Sequence, residues 1–466
     1  MELKWNNLLC EERIRESISK NVKGVVRNEF EADYDRIVGS SSVRRLQDKA
    51  QVFPLQKNDF VRTRLTHSME VSAIARSIAK RIGIELEHRG IFDRDDTEKL
   101  MGLLQTAGLV HDLGNPPFGH YGETAIRNWY RENVLDTEDK EHVITLEEAD
   151  FLYFDGNVQN LRILTKLQTM NDQFGINFTY GTLATIIKYP YSSFSKHDKN
   201  KFGYFQSEAK LVEKIWEKTG LREGVRHPAT YILEAADDIC YLCDDIEDGI
   251  KKGYIQWDKE YRKLIEKYRN TDRYKDLFIR LMDENKQPDK DMDEEEKLLA
   301  RIKLFRNYTQ GMLINNAVET FFEKYSIIMH GEFGLSDLLI NDKEFVSDLK
   351  EITAVHCFSC DEVLSLELVG ERVINELLNI LFKAVSSDNV SKLKKTNSYE
   401  GKVFNLISSN YKYVALFDYD KNTKRSLEDL TQYDKIHLIV DFVSGMTDSY
   451  AMDLYKQLMG ISLPQW

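Results

Sequence analysis

Apolar residues along this chain recur mostly at the three-and-four spacing of a single helix face. Val71, Ile74, Ala75, Ile78 and Ile82 form one such stripe, and Val373, Leu377, Leu378 and Leu381 form another. Only 7 prolines interrupt 466 residues, so the pattern predicts an all-α protein. Strand signals are few. The strongest are the β-branched and aromatic runs 413–417 and 436–440, which predict one short β-hairpin near the carboxyl end. Residues 283–297 are almost wholly charged and hold Pro288, which predicts an exposed loop between helices; the polar stretch 386–401 predicts a second break. The expected organisation is a large amino-terminal body over 1–282 and the charged loop 283–297. A helical middle segment and carboxyl-terminal lobe over 298–466 then pack on that body.

The apolar run 103–110 ends on the adjacent pair His111-Asp112, followed by Gly114 and the break Pro116-Pro117 that must terminate a helix. Beyond the break stands His120, with Glu123 three positions on, the spacing at which a restarted helix places both on one face. This is an acid/base pair beside side chains able to hold a metal. Upstream, Arg64 and His67 are separated by the same three residues. Downstream, Asp237, Tyr241 and Asp245 share one helical stripe, opposite the apolar Ile232, Ala236, Ile239, Cys240, Cys243 and Ile246. Taken singly, His67 reads as a structural histidine and the aspartate stripe as a solvated face. Together, His67, His111, Asp112 and Asp237 form a nitrogen and oxygen donor set without sulfur, suited to Mn, Fe, Co, Ni or Zn, or to Mg with water in the remaining positions. Four protein donors leave room for water and substrate, as a catalytic site requires.

Hydrophobic residues make up 42% of the chain, enough for a sizeable core, and the formal charge of −13 argues against non-specific nucleic-acid binding over the whole surface while leaving room for a local basic pocket that takes a phosphate ligand. No apolar run approaches a membrane span, and residues 1–7 lack the apolar core of a signal peptide, so a cytoplasmic protein is expected, with no membrane partner. Five cysteines fit a reducing compartment. Four of them form the pairs Cys240/Cys243 and Cys357/Cys360, which raise zinc as an alternative. Their distance in sequence and their place in apolar helical patterns read instead as buried free thiols.

The order His67, His111-Asp112, Asp237 resembles the HD-domain metal-dependent phosphohydrolases. The runs 51–55 (Gln-Val-Phe-Pro-Leu), 62–68, 111–120 and 445–451 (Gly-Met-Thr-Asp-Ser-Tyr-Ala) narrow the resemblance to the bacterial deoxyguanosine triphosphate triphosphohydrolases, over about residues 34 to 456. That family implies cleavage of a dNTP, dGTP by preference, between the 5′-oxygen and the α-phosphorus, giving deoxynucleoside and intact triphosphate. It implies one divalent ion, Mn²⁺ or Mg²⁺ with Fe, Co, Ni or Zn as alternatives, on His67, His111, Asp112 and Asp237. His120, oriented by Glu123, corresponds to the group that protonates the leaving oxygen. Arg64, Lys188 and Lys201 correspond to phosphate contacts, and Tyr241, Asp245 and Gln51 to sugar or base contacts. Asn157 and Gln159 lie in a further family-like run without an assigned role. Asn115 stands where some relatives, the vertebrate enzyme among them, carry His, and Ser449 where many carry Arg.

The same resemblance implies a homo-oligomer, often a hexamer, and in some members regulation by a nucleotide or single-stranded DNA. Residues 391–402, with Lys392, Lys394, Lys395 and Lys402, suit a DNA contact or a solvated loop. Two other readings are an HD phosphohydrolase of broader or different nucleotide specificity and a non-catalytic nucleic-acid-binding regulator. The His120 and Glu123 pair argues against the latter, because a binding module has no use for it.

Overall fold

A computed structural model describes residues 2–15, 27–53, 55, 61–135, 142–168, 173–195, 201–283, 291–387 and 398–463. The protein is helical, and among the described residues its one sheet is an antiparallel pair, Phe417–Asp418 with Thr423–Lys424. No described helix is long and apolar enough to cross a membrane.

Three helices carry the residues singled out above. The helix Arg64–His88 starts where the Thr63 hydroxyl accepts the Thr66 N–H, and it buries the stripe Val71, Ala75, Ile78 and Ile82. The helix Arg94–Val110 starts on Asp93, buries Leu100, Leu103, Leu104 and Ala107, and delivers His111 at its end. These two touch backbone to backbone: a Cβ on Gly108 would lie 2.6 Å from Ser72 Cα, and Ser72 Oγ donates to the Gln105 carbonyl at 2.7 Å. Only glycine permits that approach, which brings His111 beside His67. The third helix, Pro228–Lys251, opens with Pro228 in its first turn and packs against Arg64–His88.

Two sequence expectations need correction. The charged stretch 283–297 is helical from Glu294, where Asp293 caps the helix Glu294–Glu323 and Glu294, Glu295 and Glu296 line its positive end. Residues 284–290 lie outside the described residues, as do Lys392, Lys394 and Lys395. The hairpin has other partners than those expected. Residues 413–416 close the helix Ser409–Leu416, and 436–440 lie inside the helix Gln432–Ser444. Residues 436–440 are all buried, and a run buried on every side carries no period that separates strand from helix.

The buried apolar side chains form two clusters. The first joins the helices of the amino-terminal body to Ile302, Phe305, Leu313, Phe345, Leu349 and Val363. The second gathers Phe118, Ile126, Trp129, Phe154 and Phe205 with Ile374, Leu378, Ile439 and Leu454 of the carboxyl-terminal helices. The boundary between clusters therefore crosses the chain several times, and residues 111–120 run along it.

Candidate functional site

Asp237 is the point on which the imidazoles converge. His67 Nε2 lies 3.0 Å from Asp237 Oδ1, and His111 Nε2 lies 3.5 Å from the same oxygen. His67, His111 and Asp237 each offer a donor atom within 4.8 Å of the others. His111 Nδ1 donates to the Gly108 carbonyl at 2.8 Å, which turns Nε2 toward Asp237, and Nε2 is buried without a hydrogen-bond partner. Burial alone would depress the His111 pKa, but the Asp112 and Asp237 carboxylates outweigh it and hold the group up at about 9. The pocket thus attracts positive charge, and an orphaned imidazole nitrogen beside a second imidazole and a carboxylate fits a divalent cation.

Asp112 is turned differently. Its Oδ1 lies 3.8 Å from His111 Nε2, while Arg64 Nη1 donates to Oδ2 and Asn115 Nδ2 to Oδ1, each at 2.6 Å. Burial would raise its pKa; Arg64 and then His111 hold it well below the usual carboxylate range.

His120, the expected acid, lines the same cleft. His120 Nδ1 is 3.2 Å from Glu123 Oε2; the His120 side chain is 83% exposed and that of Glu123 3%. Glu123 Oε1 accepts the Gly156 N–H at 2.8 Å. A Cβ on Gly156 would lie 2.5 Å from Asn115 Oδ1 and 2.9 Å from Glu123 Oε1, so a larger residue there would displace both side chains. The hydrogen bond to Glu123, reinforced by its charge, raises the His120 pKa.

One cleft is lined by His111, Asp112, His120, Asp237, Asn157 and Lys188. Lys188 pairs with Glu234 at 2.9 Å, and Glu234 also takes Arg226 at 2.6 Å. Gln51, Arg64, Lys201, Tyr241 and Asp245 are not part of that wall. Lys201 pairs with Asp155, the carboxylate that caps the helix Gly156–Arg162. The Tyr241 ring faces Lys350 Nζ at 5.3 Å from its centroid. Asp245 is buried, and burial, assisted by the Asp248 charge and opposed by Arg62, pushes its pKa to about 8. Gln51 Oε1 is buried without a partner. Gln159 donates to Asp441 at 3.0 Å, alongside the buried pair of Arg162 with Asp441 at 2.8 Å.

Two groups escaped the sequence reading. Arg62 spans Asp248 (2.8 Å), Glu247 (3.0 Å), Asp244 (3.3 Å) and Glu70 (3.1 Å), tying the start of the Arg64–His88 helix to Pro228–Lys251. It neutralises the group Glu70, Cys240 and Asp244, which otherwise has ligand-like spacing. Lys49 and Asp448, the latter inside the run 445–451, reach the loop between His111 and His120. Neither has a spacing signal, because both act on backbone groups distant in sequence. All five cysteines are free, and Cys10, Cys240, Cys243 and Cys357 are buried; no described cluster joins the two pairs.

Helical fold and site together define an HD-domain hydrolase, a class that binds a divalent metal. The HD domain profile matches residues 64–150, and that of the phosphohydrolase-associated domain matches 381–457. The chain is 38% identical to a deoxyguanosinetriphosphate triphosphohydrolase-like protein of Listeria monocytogenes, over 99% of this chain and 100% of the relative, and 34% identical to one of Synechocystis over the same shares. It is 31% identical to the deoxyguanosinetriphosphate triphosphohydrolase of Salmonella arizonae, over 93% of this chain and 94% of that protein. The chain belongs to the deoxyguanosinetriphosphate triphosphohydrolase family and is an enzyme of the hydrolase class.

Proposed function

We propose that this enzyme hydrolyses dGTP, and other dNTPs less readily, to deoxynucleoside and inorganic triphosphate. The observation that carries the reading is the presence in one cleft of His111, Asp112 and Asp237 with His120, itself held by the buried Glu123, and the cation of Lys188. The names of the relatives above support the choice of dGTP and of triphosphate as product. His67, His111 and Asp237 would hold the cation, Mn²⁺ or Mg²⁺, with Asp112, now hydrogen-bonded to Arg64 and Asn115, as the fourth donor. When bound, a divalent ion supplies Lewis acidity to water and to a phosphate oxygen.

The chain's own residues do the rest. Cleavage at the α-phosphorus leaves charge on the 5′-oxygen, which needs a proton. With Nδ1 held by Glu123, His120 presents Nε2 to the leaving oxygen, and the hydrogen bond and charge of Glu123 raise its pKa and so favour the protonated ring. Lys188, Lys201 and Arg64 balance the triphosphate, exchanging or sharing their present carboxylate partners. Tyr241 and Asp245 select the deoxyribose, and Gln51 contacts sugar or base. We further propose a catalytic body over 1–282 with the segment 298–466 packed on it, assembled as a homo-oligomer, a hexamer by family. Exposed apolar residues on one stretch, Val355, Phe358, Leu364 and Leu368, support such assembly.

The test is incubation of the purified enzyme with each dNTP and with GTP, in Mn²⁺ or Mg²⁺, with products resolved by ion exchange. Deoxynucleoside and tripolyphosphate are expected, fastest from dGTP. Pyrophosphate or orthophosphate as the first product would overturn the reading.

A further inference from the structure

The proposed acid and the proposed metal ligands stand on opposite sides of a seam. His67, His111 and Asp237 are borne by elements whose apolar faces lie in the first cluster. The helix that starts at His120 buries Ala125, Ile126, Trp129 and Tyr130 in the second. That helix has no side-chain cap, and the two residues before it, Phe118 and Gly119, have φ of +63° and +60°. For Phe118, which has a Cβ, this conformation is disfavoured and must be held from outside.

Asp448 meets this loop from the carboxyl-terminal lobe. Its side chain is buried; Oδ1 accepts the Phe118 N–H at 2.9 Å and Oδ2 accepts the Ala50 N–H at 3.0 Å. The Phe118 ring rests on Gly370, where an added Cβ would lie 2.7 Å from it. Beside Ala50, the buried Lys49 donates to the carbonyls of Asn115 at 2.5 Å and Ser444 at 3.0 Å. Both side chains therefore join backbone groups on the two sides of the seam.

We propose that Asp448 is a positioning residue for the reaction, setting the distance of His120 from the metal ligands by holding Phe118 in its left-handed conformation. The inference rests on His120 being the proton donor. A carboxylate suits the task because both of its oxygens accept, whereas an amide of the same shape must turn its NH₂ onto one of the two N–H groups.

The test is a double-mutant cycle of Asp448→Asn and His120→Ala, with Asp448→Ala as a second variant. Rates with dGTP are read at a temperature where circular dichroism shows all variants folded, and Mn²⁺ affinity is read by calorimetry. In the parent, Asp448→Asn is expected to lower kcat ~10- to 100-fold, as a displaced catalytic group does, with KM and Mn²⁺ affinity moving less than about threefold. In the His120→Ala background the same substitution should lower the residual rate by less than about threefold. Equal losses in both backgrounds, or Mn²⁺ affinity falling in step with kcat, would overturn the proposal. Full activity of His120→Ala would instead remove the proton-donor assignment beneath it.

Discussion

With His111 as a ligand in the proposed function, a proton and a divalent cation would compete for one lone pair, that of its Nε2. With the His111 pKa held at about 9 by Asp112 and Asp237, the proton occupies it at neutral pH until a cation displaces it. Mn²⁺ affinity should therefore rise with pH up to about 9, and calorimetry in buffers of different ionisation enthalpy should show proton release; a flat profile would contradict the assignment. His111→Ala should abolish both binding and turnover. His120 acts differently. His120→Ala should leave Mn²⁺ binding intact while kcat falls ~10²-fold or more. Glu123 raises the His120 pKa, so Glu123→Gln should move the alkaline limb of the kcat profile to lower pH. At this scale the sequence was informative where chemistry concentrates in short spacing, as in His111-Asp112 and His120 with Glu123. It was silent on Lys49 and Asp448, whose partners are backbone groups that any residue supplies.

Helix starts carry part of the site's stability, and one of them titrates. His227 caps the Pro228–Lys251 helix: Nδ1 accepts the Ala229 N–H at 3.0 Å, and Nε2–H donates to the Leu8 carbonyl at 3.1 Å. The neutral ring is partnered at both nitrogens, and burial, which disfavours the charged form, lowers the pKa from 6.5 to about 4. The unfolded chain binds this proton first. Stability from His227 is complete above about pH 6.5 and falls as pH drops toward 4, by about 3 kcal/mol in total. His227→Asn keeps an acceptor at the cap and removes the titration. Its denaturation midpoint should fall less steeply than the parent's over that window, and an unchanged slope would refute the argument. The elements themselves were legible where one face is apolar, as in the Arg64–His88 helix. The run 436–440 was not, because burial on every side erases the period.

For the whole molecule, the division of the core matters more than the division of the chain. The first cluster includes Ile302, Phe305, Leu313 and Leu349, and the helices Glu294–Glu323 and Lys343–Thr353 both pack on Pro228–Lys251. A fragment ending at residue 282 would expose that face of the helix bearing Asp237. It should show no cooperative thermal transition and no Mn²⁺ binding, measured by circular dichroism and calorimetry; a melt like that of the full chain would show the body to be autonomous. The buried pair of Arg162 and Asp441 joins the two parts again, as Lys49 and Asp448 do at the loop before His120.

From the sequence alone came the helical class and the family, with the expectation of a donor set and of an acid/base pair across the Pro116-Pro117 break. Each rests on residues close in the chain or on motifs whose order survives without coordinates. Tertiary structure alone decided that His67 and His111 converge on Asp237 through the Gly108 contact, and that Asp112 faces Arg64 and Asn115. It also decided that the loop from His111 to His120 crosses from one core to the other. Close approach, side-chain direction and the course of a seam depend on contacts between distant segments, and no local pattern records them.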